Sequence, residues 1–347
     1  MPHITLIGAG SMGTALAIHL AKKGLNVCLW GRNAEKIKAI NDNKENRQYI
    51  PDVKIPDEVI ITSDIDEAVN DMEALVLAVP SDQTREVARQ LKPYIRPNLP
   101  VISTAKGFEL STLKRMSEVL EEELGDKQCR ISILSGPSHA EEISCGIPTA
   151  VIISSKEERT ALTAQELFIS PLFRVYTNAD IVGVELAAGL KNVVALAVGV
   201  ATGAGCGDNT KAALVTRGLA EISRLGIACN ADPLTFMGLA GIGDLVVTCM
   251  SMHSRNLRAG ILIGQGNNLD EALKKVGMTV EGVIATKAAK QLSEIHQVSM
   301  PICEELYSVL FEGKNPSDAV ISLMMRQPKG EKEEVALQNL LNIGLTQ

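Results

Sequence analysis

Residues 8–13 read Gly-Ala-Gly-Ser-Met-Gly, at the end of the apolar run HITLIG (3–8) and directly before the helical run TALAIHLAKKG (14–24). A second apolar run, NVCLW (26–30), follows at the spacing a strand–helix–strand unit needs. Few folds accept this order. Gly8 permits a tight turn, Gly10 lets a ligand approach the backbone, and Gly13 lets the helix pack on the strand. The unpaired N–H groups and positive potential of the helix start then favour a pyrophosphate over Gly8, Gly10, Ser11, Met12 and Gly13. A bound dinucleotide is therefore expected.

Further strand-like runs follow at 74–79, 100–104, 130–134, 149–153 and 173–176, with a crossover helix over 81–95. Their nearly continuous apolar character suits parallel strands covered on both faces. This predicts an α/β N-terminal domain, a Rossmann-like doubly wound sheet, over 1–180. Beyond it strands cease, and helical periods at 181–204, 209–225, 281–295 and 302–311 predict an all-α C-terminal domain over 181–347 for substrate binding and catalysis. The last segment, GEKEEVALQNLLN (330–342), reads as a charged amphipathic surface helix.

Composition removes several classes. Lys plus Arg number 34 against 41 acidic residues, a net charge of −7, and aromatics are 3%, which argues against a nucleic-acid surface. The seven cysteines are scattered and form no C-x-x-C pair, so neither a disulfide framework nor a zinc knuckle is expected. A reducing, cytoplasmic setting fits, and the N-terminal residues carry no basic run or cleavage site. The apolar stretch 181–203 is long enough to span a bilayer, yet it holds Glu185, Lys191 and Asn192. Ionised groups there are costly in lipid, so a helix buried in protein is expected rather than membrane insertion. Metal-ligand spacing, a nucleophile elbow and a phosphate loop of the Walker type are all missing from the sequence.

Strand ends carry the remaining polar candidates. After the second strand the chain reads Trp30-Gly31-Arg32-Asn33, with no carboxylate for a ribose 2′-hydroxyl. Arg32 suits a 2′-phosphate, so NADPH is expected with NADH also accepted; the alternative is an exposed loop cation. Lys106, after the run 100–104, stands where a phosphate or the reacting centre would lie, and Gly136-Pro137-Ser138-His139-Ala140 follows the run 130–134.

In the helical half, Lys191 has only Ala187, Ala188, Val194 and Ala195 as helical neighbours, which leaves room for a ligand. A partly buried ammonium suits proton exchange; equally, its stem could pack while its head reaches water. Asp244 reads as a helix N-cap, or as a carboxylate orienting Lys191 or a substrate hydroxyl. Ser254-Arg255-Asn256 groups a hydroxyl, a guanidinium and an amide suited to a phosphate, or simply starts a helix.

The segments GAGSMGTALA, VPS, STAKG, SGPSHAEE, ELAAGLKN, GLAGIGDLVVTC, SRN and VEGV, in this order from Gly8 to about Gly282, closely resemble the NAD(P)-dependent glycerol-3-phosphate dehydrogenases. The resemblance implies reversible hydride transfer between NAD(P)H and dihydroxyacetone phosphate, giving sn-glycerol 3-phosphate for glycerophospholipid biosynthesis. It implies Lys191 as general acid/base. Lys106, Gly136, Ser138, Lys191, Asp244, Ser254, Arg255 and Asn256 would bind substrate. Ser11, Met12, Arg32, Lys106, Ala140, Arg255 and Glu281 would touch the dinucleotide, and no metal is needed. Met12 stands where the family often has an aromatic residue, and Met250-Ser251-Met252-His253 departs from the usual segment. The rival readings are a dehydrogenase of the same architecture acting on a small 2-keto or 3-hydroxy acid and a dinucleotide-binding sensor that has lost catalysis, and the apolar helical half makes a homodimer plausible.

Overall fold

The apolar runs of the first half pair into one eight-stranded sheet in the computed structural model, which describes residues 3–327 and residue 330. In chain order its elements are β1 (His3–Ile7), α1 (Ser11–Lys22), β2 (Asn26–Trp30), α2 (Ala34–Asn43), β3 (Ile60–Thr62), α3 (Ile65–Val69), β4 (Ala74–Leu77), α4 (Thr84–Leu91) and β5 (Pro100–Ser103). A small hairpin, β6 (Phe108–Glu109) and β7 (Lys114–Arg115), leads to α5 (Met116–Leu124). Then come β8 (Arg130–Ser135), α6 (Ala140–Cys145), β9 (Thr149–Ser154), α7 (Glu158–Phe168) and β10 (Phe173–Asn178).

The spatial order is β10-β9-β8-β5-β4-β1-β2-β3. Six strands, β3-β2-β1-β4-β5-β8, run parallel, and the order reverses at β1, where the glycine turn emerges. Alternate residues feed two cores, as a sheet covered on both faces requires. Ile4, Leu6, Val76 and Ile102 pack with Leu16 and Leu20 of α1 and Phe168 of α7. Ile7, Leu75, Leu77 and Val101 pack with Leu91 of α4 and Leu120 and Leu124 of α5.

The doubly wound class is as the sequence predicts, but β9 runs antiparallel to β8, pairing Ile133 with Ser154 and Ser135 with Ile152. Only β10 follows β9 in parallel. The chain thus re-enters the sheet from the end at which it left, through a connection whose helix is the six-residue α6. Apolar composition carries no information on strand direction.

By its contacts the chain divides into two units, one running to Glu109 and from Lys114 to Ile181, the other taking Leu110–Leu113 and the residues from Val182. The second unit is built on α8 (Ile181–Gly203) and α9 (Asp208–Ala228), the latter longer than its apolar period indicates. A 3-10 turn (Pro233–Met237) and a π turn (Leu239–Gly243) lead into α10 (Asp244–Met250) and α11 (Arg255–Gly264). The remaining helices are α12 (Leu269–Val276), α13 (Glu281–Ile295), α14 (Pro301–Phe311) and α15 (Pro316–Met324). The most apolar window of α8 is 89% buried inside protein.

Where α8 crosses α11 the two backbones touch. A Cβ on Gly199 would lie 2.8 Å from Gly260 Cα, and one on Gly203 would collide with the Ile261 carbonyl. The expected helix over 330–342 lies outside the described residues, Gly330 excepted. No disulfide joins any of the seven cysteines, all of which lie among the described residues.

Candidate active site

Each glycine of the first turn has its own constraint. Gly8 has φ +114°, and a Cβ there would sit 2.7 Å from the Ala78 carbonyl oxygen. A Cβ on Gly13 would collide with the Gly8 carbonyl, whereas one on Gly10 would meet nothing within 4 Å. Gly10 caps α1 without a side-chain bond, and the N–H groups of Ser11, Met12 and Gly13 find no acceptor among the described residues. Open space beside donors without acceptors is what a pyrophosphate needs. Ser11 is half-buried, and Met12 packs part of its side chain on the core.

At the end of β2, the Trp30 indole donates to the Ser63 carbonyl at 3.1 Å. Arg32 is exposed and forms no ion pair among the described residues, while Asn33 turns inward to cap α2 by accepting from the Lys36 N–H at 2.9 Å. The guanidinium thus stands just beyond the carboxyl end of β2 with no partner fixing it among the described residues.

Adjacent strands β5 and β8 bring the next candidates together. Lys106 Nζ donates to the Gly136 carbonyl at 2.8 Å and to Ser138 Oγ at 3.1 Å. Ser138 in turn donates to Gly136 O at 2.8 Å, and Gly136 has φ +103°. This places a cation at the carboxyl edge of the sheet. Ala140 begins α6 with its methyl buried in the core, so only its backbone could meet a ligand.

In the helical unit, Lys191 and Asp244 are brought together from positions 53 apart in the chain. Lys191 Nζ lies 2.5 Å from Asp244 Oδ1 and 2.6 Å from Thr248 Oγ1, with the two charged side chains 7% and 2% exposed. The Lys191 head does not reach water along its own stem; it is held inside the protein. Asp244 is not a cap either. It is the first residue of α10, Gly243 precedes it as cap, and the π turn already winds the chain into the helix. Its carboxylate is thereby released to face Lys191.

Thr248, one turn along α10, donates its proton to the Asp244 carbonyl at 2.6 Å and accepts from Lys191. Its spacing of four from Asp244 was a legible signal that sequence reasoning passed over. Next to the pair, burial pushes the Cys249 thiol up to about 12, with the Lys191 charge opposing.

Asn192, the neighbour of Lys191 and also missed from sequence, accepts from Asn256 Nδ2 at 2.9 Å. Asn256 Oδ1 accepts from the Gly282 N–H at 2.8 Å. A Cβ on Gly282 would lie 2.7 Å from the Asn192 carbonyl, so α8, α11 and α13 meet at this point. Ser254 caps α11 by accepting from the Leu257 N–H at 3.2 Å, and Arg255 follows it, half-buried. The helix-start reading therefore holds for 254–256, with Ser254 as the cap and the Asn256 amide bonded to Asn192 and Gly282. Glu281 opens α13 beside Gly282. Among the described residues no group of three His, Cys, Asp or Glu side chains is placed to hold a metal.

Comparison with known proteins gives one answer along the chain. Residues 3–161 match the family model for the NAD-dependent glycerol-3-phosphate dehydrogenase N-terminus, and residues 180–321 match that for its C-terminus. The glycerol-3-phosphate dehydrogenase [NAD(P)+] of Thermoanaerobacter sp. is 54% identical over 328 residues, covering 94% of this chain and 98% of that one. The Bacillus subtilis protein of the same name is 50% identical over 336 residues, covering 96% and 97%. The crystal structure of glycerol-3-phosphate dehydrogenase from Coxiella burnetii superposes with a TM-score of 0.90 at 35% identity, covering 94% and 99%. The glycine turn, the ordered sheet and both matched halves agree: the chain is a nicotinamide-dependent oxidoreductase and belongs to the NAD-dependent glycerol-3-phosphate dehydrogenase family.

Proposed function

We propose that this chain interconverts dihydroxyacetone phosphate and sn-glycerol 3-phosphate with Lys191 as general acid/base, and that it prefers NADPH. The observation that supports the acid/base role is the buried ammonium between the Asp244 carboxylate and the Thr248 hydroxyl. Burial alone disfavours the charged amine, and the carboxylate favours it. The Lys191 ammonium is thus sheltered from bulk water with a carboxylate beside it. In reduction it protonates the alkoxide that develops on the substrate; in oxidation the neutral amine removes the hydroxyl proton.

Ser254, Arg255 and Asn256 are assigned to the phosphate, for which a guanidinium gives paired charged hydrogen bonds and the neutral groups complete the shell. Lys106, with Gly136 and Ser138, supplies a further cation at the carboxyl edge of the sheet, where the reacting end of a dinucleotide belongs. When bound, the nicotinamide supplies the hydride. Arg32 supports the NADPH preference because its guanidinium has no ion pair among the described residues and Trp30-Gly31-Arg32-Asn33 holds no carboxylate to take the 2′-position. Run toward glycerol 3-phosphate, the reaction provides the backbone of glycerophospholipids.

The test is nucleotide oxidation by the purified protein with dihydroxyacetone phosphate, using NADPH or NADH, beside unphosphorylated dihydroxyacetone. Fast turnover only with the phosphorylated ketone, and a lower KM for NADPH, are expected. Equal rates with both ketones would remove the phosphate assignment. Loss of less than about tenfold in kcat on Lys191→Ala would remove the acid/base assignment.

A further inference from the structure

The loop between α2 and β3 contains one buried amide that reaches the glycine turn. Asn46, 2% exposed, donates from Nδ2 to the Ala9 carbonyl at 3.0 Å and to Thr14 Oγ1 at 2.8 Å. Ala9 lies inside Gly8–Gly13, and Thr14 is in the first turn of α1, where its N–H bonds the Gly10 carbonyl at 3.0 Å. One side chain thus grips both sides of the turn.

The loop holds Asn46 firmly. Its ends are joined by the Ile55 N–H to Lys44 carbonyl bond at 2.8 Å and by a bridge between Glu45 and Lys54. Glu45 Oε1 accepts from the Asp52 N–H and from Arg47 Nε, both at 3.2 Å. The Asn46 carbonyl accepts from the N–H groups of Tyr49 at 3.0 Å and Ile50 at 2.8 Å.

A trans peptide sets its C=O and N–H in opposite directions. Because the Ala9 carbonyl points inward to Asn46, the Gly10 N–H of the same peptide points the opposite way, and a Cβ on Gly10 would meet nothing within 4 Å. Glycine at position 10 makes this peptide easy to turn over. A turned peptide would aim a carbonyl oxygen at an incoming phosphate in place of a donor.

We propose that Asn46 is a positioning residue for the dinucleotide: it locks the Ala9–Gly10 peptide with its N–H facing the pyrophosphate. The proposal rests on reading Gly8–Gly13 as the pyrophosphate cradle, and it assigns a role to a loop that carries no recognisable motif.

The test measures the Kd of NAD+ by calorimetry at pH 8 and pH 5.5 for the full-length protein and for Asn46→Asp and Asn46→Ser. NAD+ is chosen because it lacks a 2′-phosphate that would itself titrate in this range. At pH 8 the aspartate variant presents oxygens to the Ala9 carbonyl, and Kd is expected to rise on the order of tenfold or more, the equivalent of one buried hydrogen bond. At pH 5.5 a buried carboxyl is largely protonated and can donate again. The gap from the parent protein should then close to within about threefold. The serine variant, too short to reach Ala9, should bind roughly tenfold more weakly at both pH values. The KM for dihydroxyacetone phosphate and kcat at saturating dinucleotide should stay unchanged in both.

Unchanged Kd in the serine variant overturns the proposal, and so does a loss in the aspartate variant that is equal at both pH values. If the aspartate variant does not fold, the serine variant decides alone. Failure of the unsubstituted protein to bind NAD+ would instead overturn the cradle reading itself.

Discussion

Replacing the Lys191–Asp244 pair by Met and Leu, singly and together, separates what the pair does for stability from what it does for chemistry. Both side chains are almost fully enclosed, 7% and 2% exposed, so each loses its hydration on folding and relies on the other for compensation. Asp244→Leu keeps the hydrogen bond to Thr248 but takes the carboxylate away from the buried ammonium. Removing one member of a buried pair costs about 3–5 kcal/mol, a large share of a total stability of roughly 5–15 kcal/mol. With a urea dependence of about 2 kcal/mol/M, the midpoint should fall by roughly 2 M.

Lys191→Met with Asp244→Leu removes both charges and fills similar volume, and such replacements are neutral or stabilising. The double variant should recover the parent midpoint while its turnover stays below about one part in a thousand. The transition must be read by circular dichroism at 222 nm, because Trp30, the one tryptophan, sits in the sheet unit and reports nothing directly on the helices. A double variant as unstable as Asp244→Leu alone would refute the coupling. A double variant that still turns over would refute Lys191 as proton donor.

Three further outcomes follow from other parts of the molecule. Glu221 of α9, 4% exposed, accepts from the Ile302 N–H at 2.9 Å at the start of α14; burial pushes its pKa up to about 7, well above the usual carboxylate range. The folded chain therefore keeps a proton that the unfolded chain releases, and ionising Glu221 costs stability as pH rises from about 4.5 to about 7. Glu221→Gln should unfold at the same urea concentration as the parent at pH 4.5 but be more stable at pH 8, by up to about 3 kcal/mol; a gap independent of pH would contradict this. Gly203→Ala should lower the helical transition by roughly 1–3 kcal/mol, because the methyl runs into the Ile261 carbonyl of α11; an unchanged melting curve would mean that α8 and α11 separate freely. Arg32→Ala should raise KM for NADPH about tenfold or more and leave NADH nearly unaffected, and equal losses would mean that Arg32 does not read the 2′-phosphate.

What could be read from the sequence divides by the range of the interaction. The glycine turn was legible because its three constraints act within six residues and against the next strand. Lys191 was legible as an ionised residue in an apolar run, but its partner was not: Asp244 comes from 53 residues away, and a Gly-Ile-Gly-Asp stretch looks like a helix cap until the π turn is seen. Thr248 was accessible from helical spacing alone. Asn46 was not, because it binds a main-chain carbonyl and a threonine, groups that leave no mark in a side-chain pattern. The direction of β9 was hidden for a similar reason, since it is expressed in main-chain pairing with β8 and not in the strand's composition.

The burial of α8 has a consequence for the chain before it folds. As synthesised, Ile181–Gly203 is a 23-residue segment of mean hydropathy 1.8 over its most apolar window, which is what machinery that sorts nascent chains by hydrophobicity would treat as lipid-soluble. Its folded neighbours do not yet exist to cover it. A lysine near the centre of such a segment opposes entry into a bilayer by about 2.5–3.5 kcal/mol. Lys191 lies close to the middle of this one, so the residue assigned to proton transfer also weighs against insertion of the newly made segment.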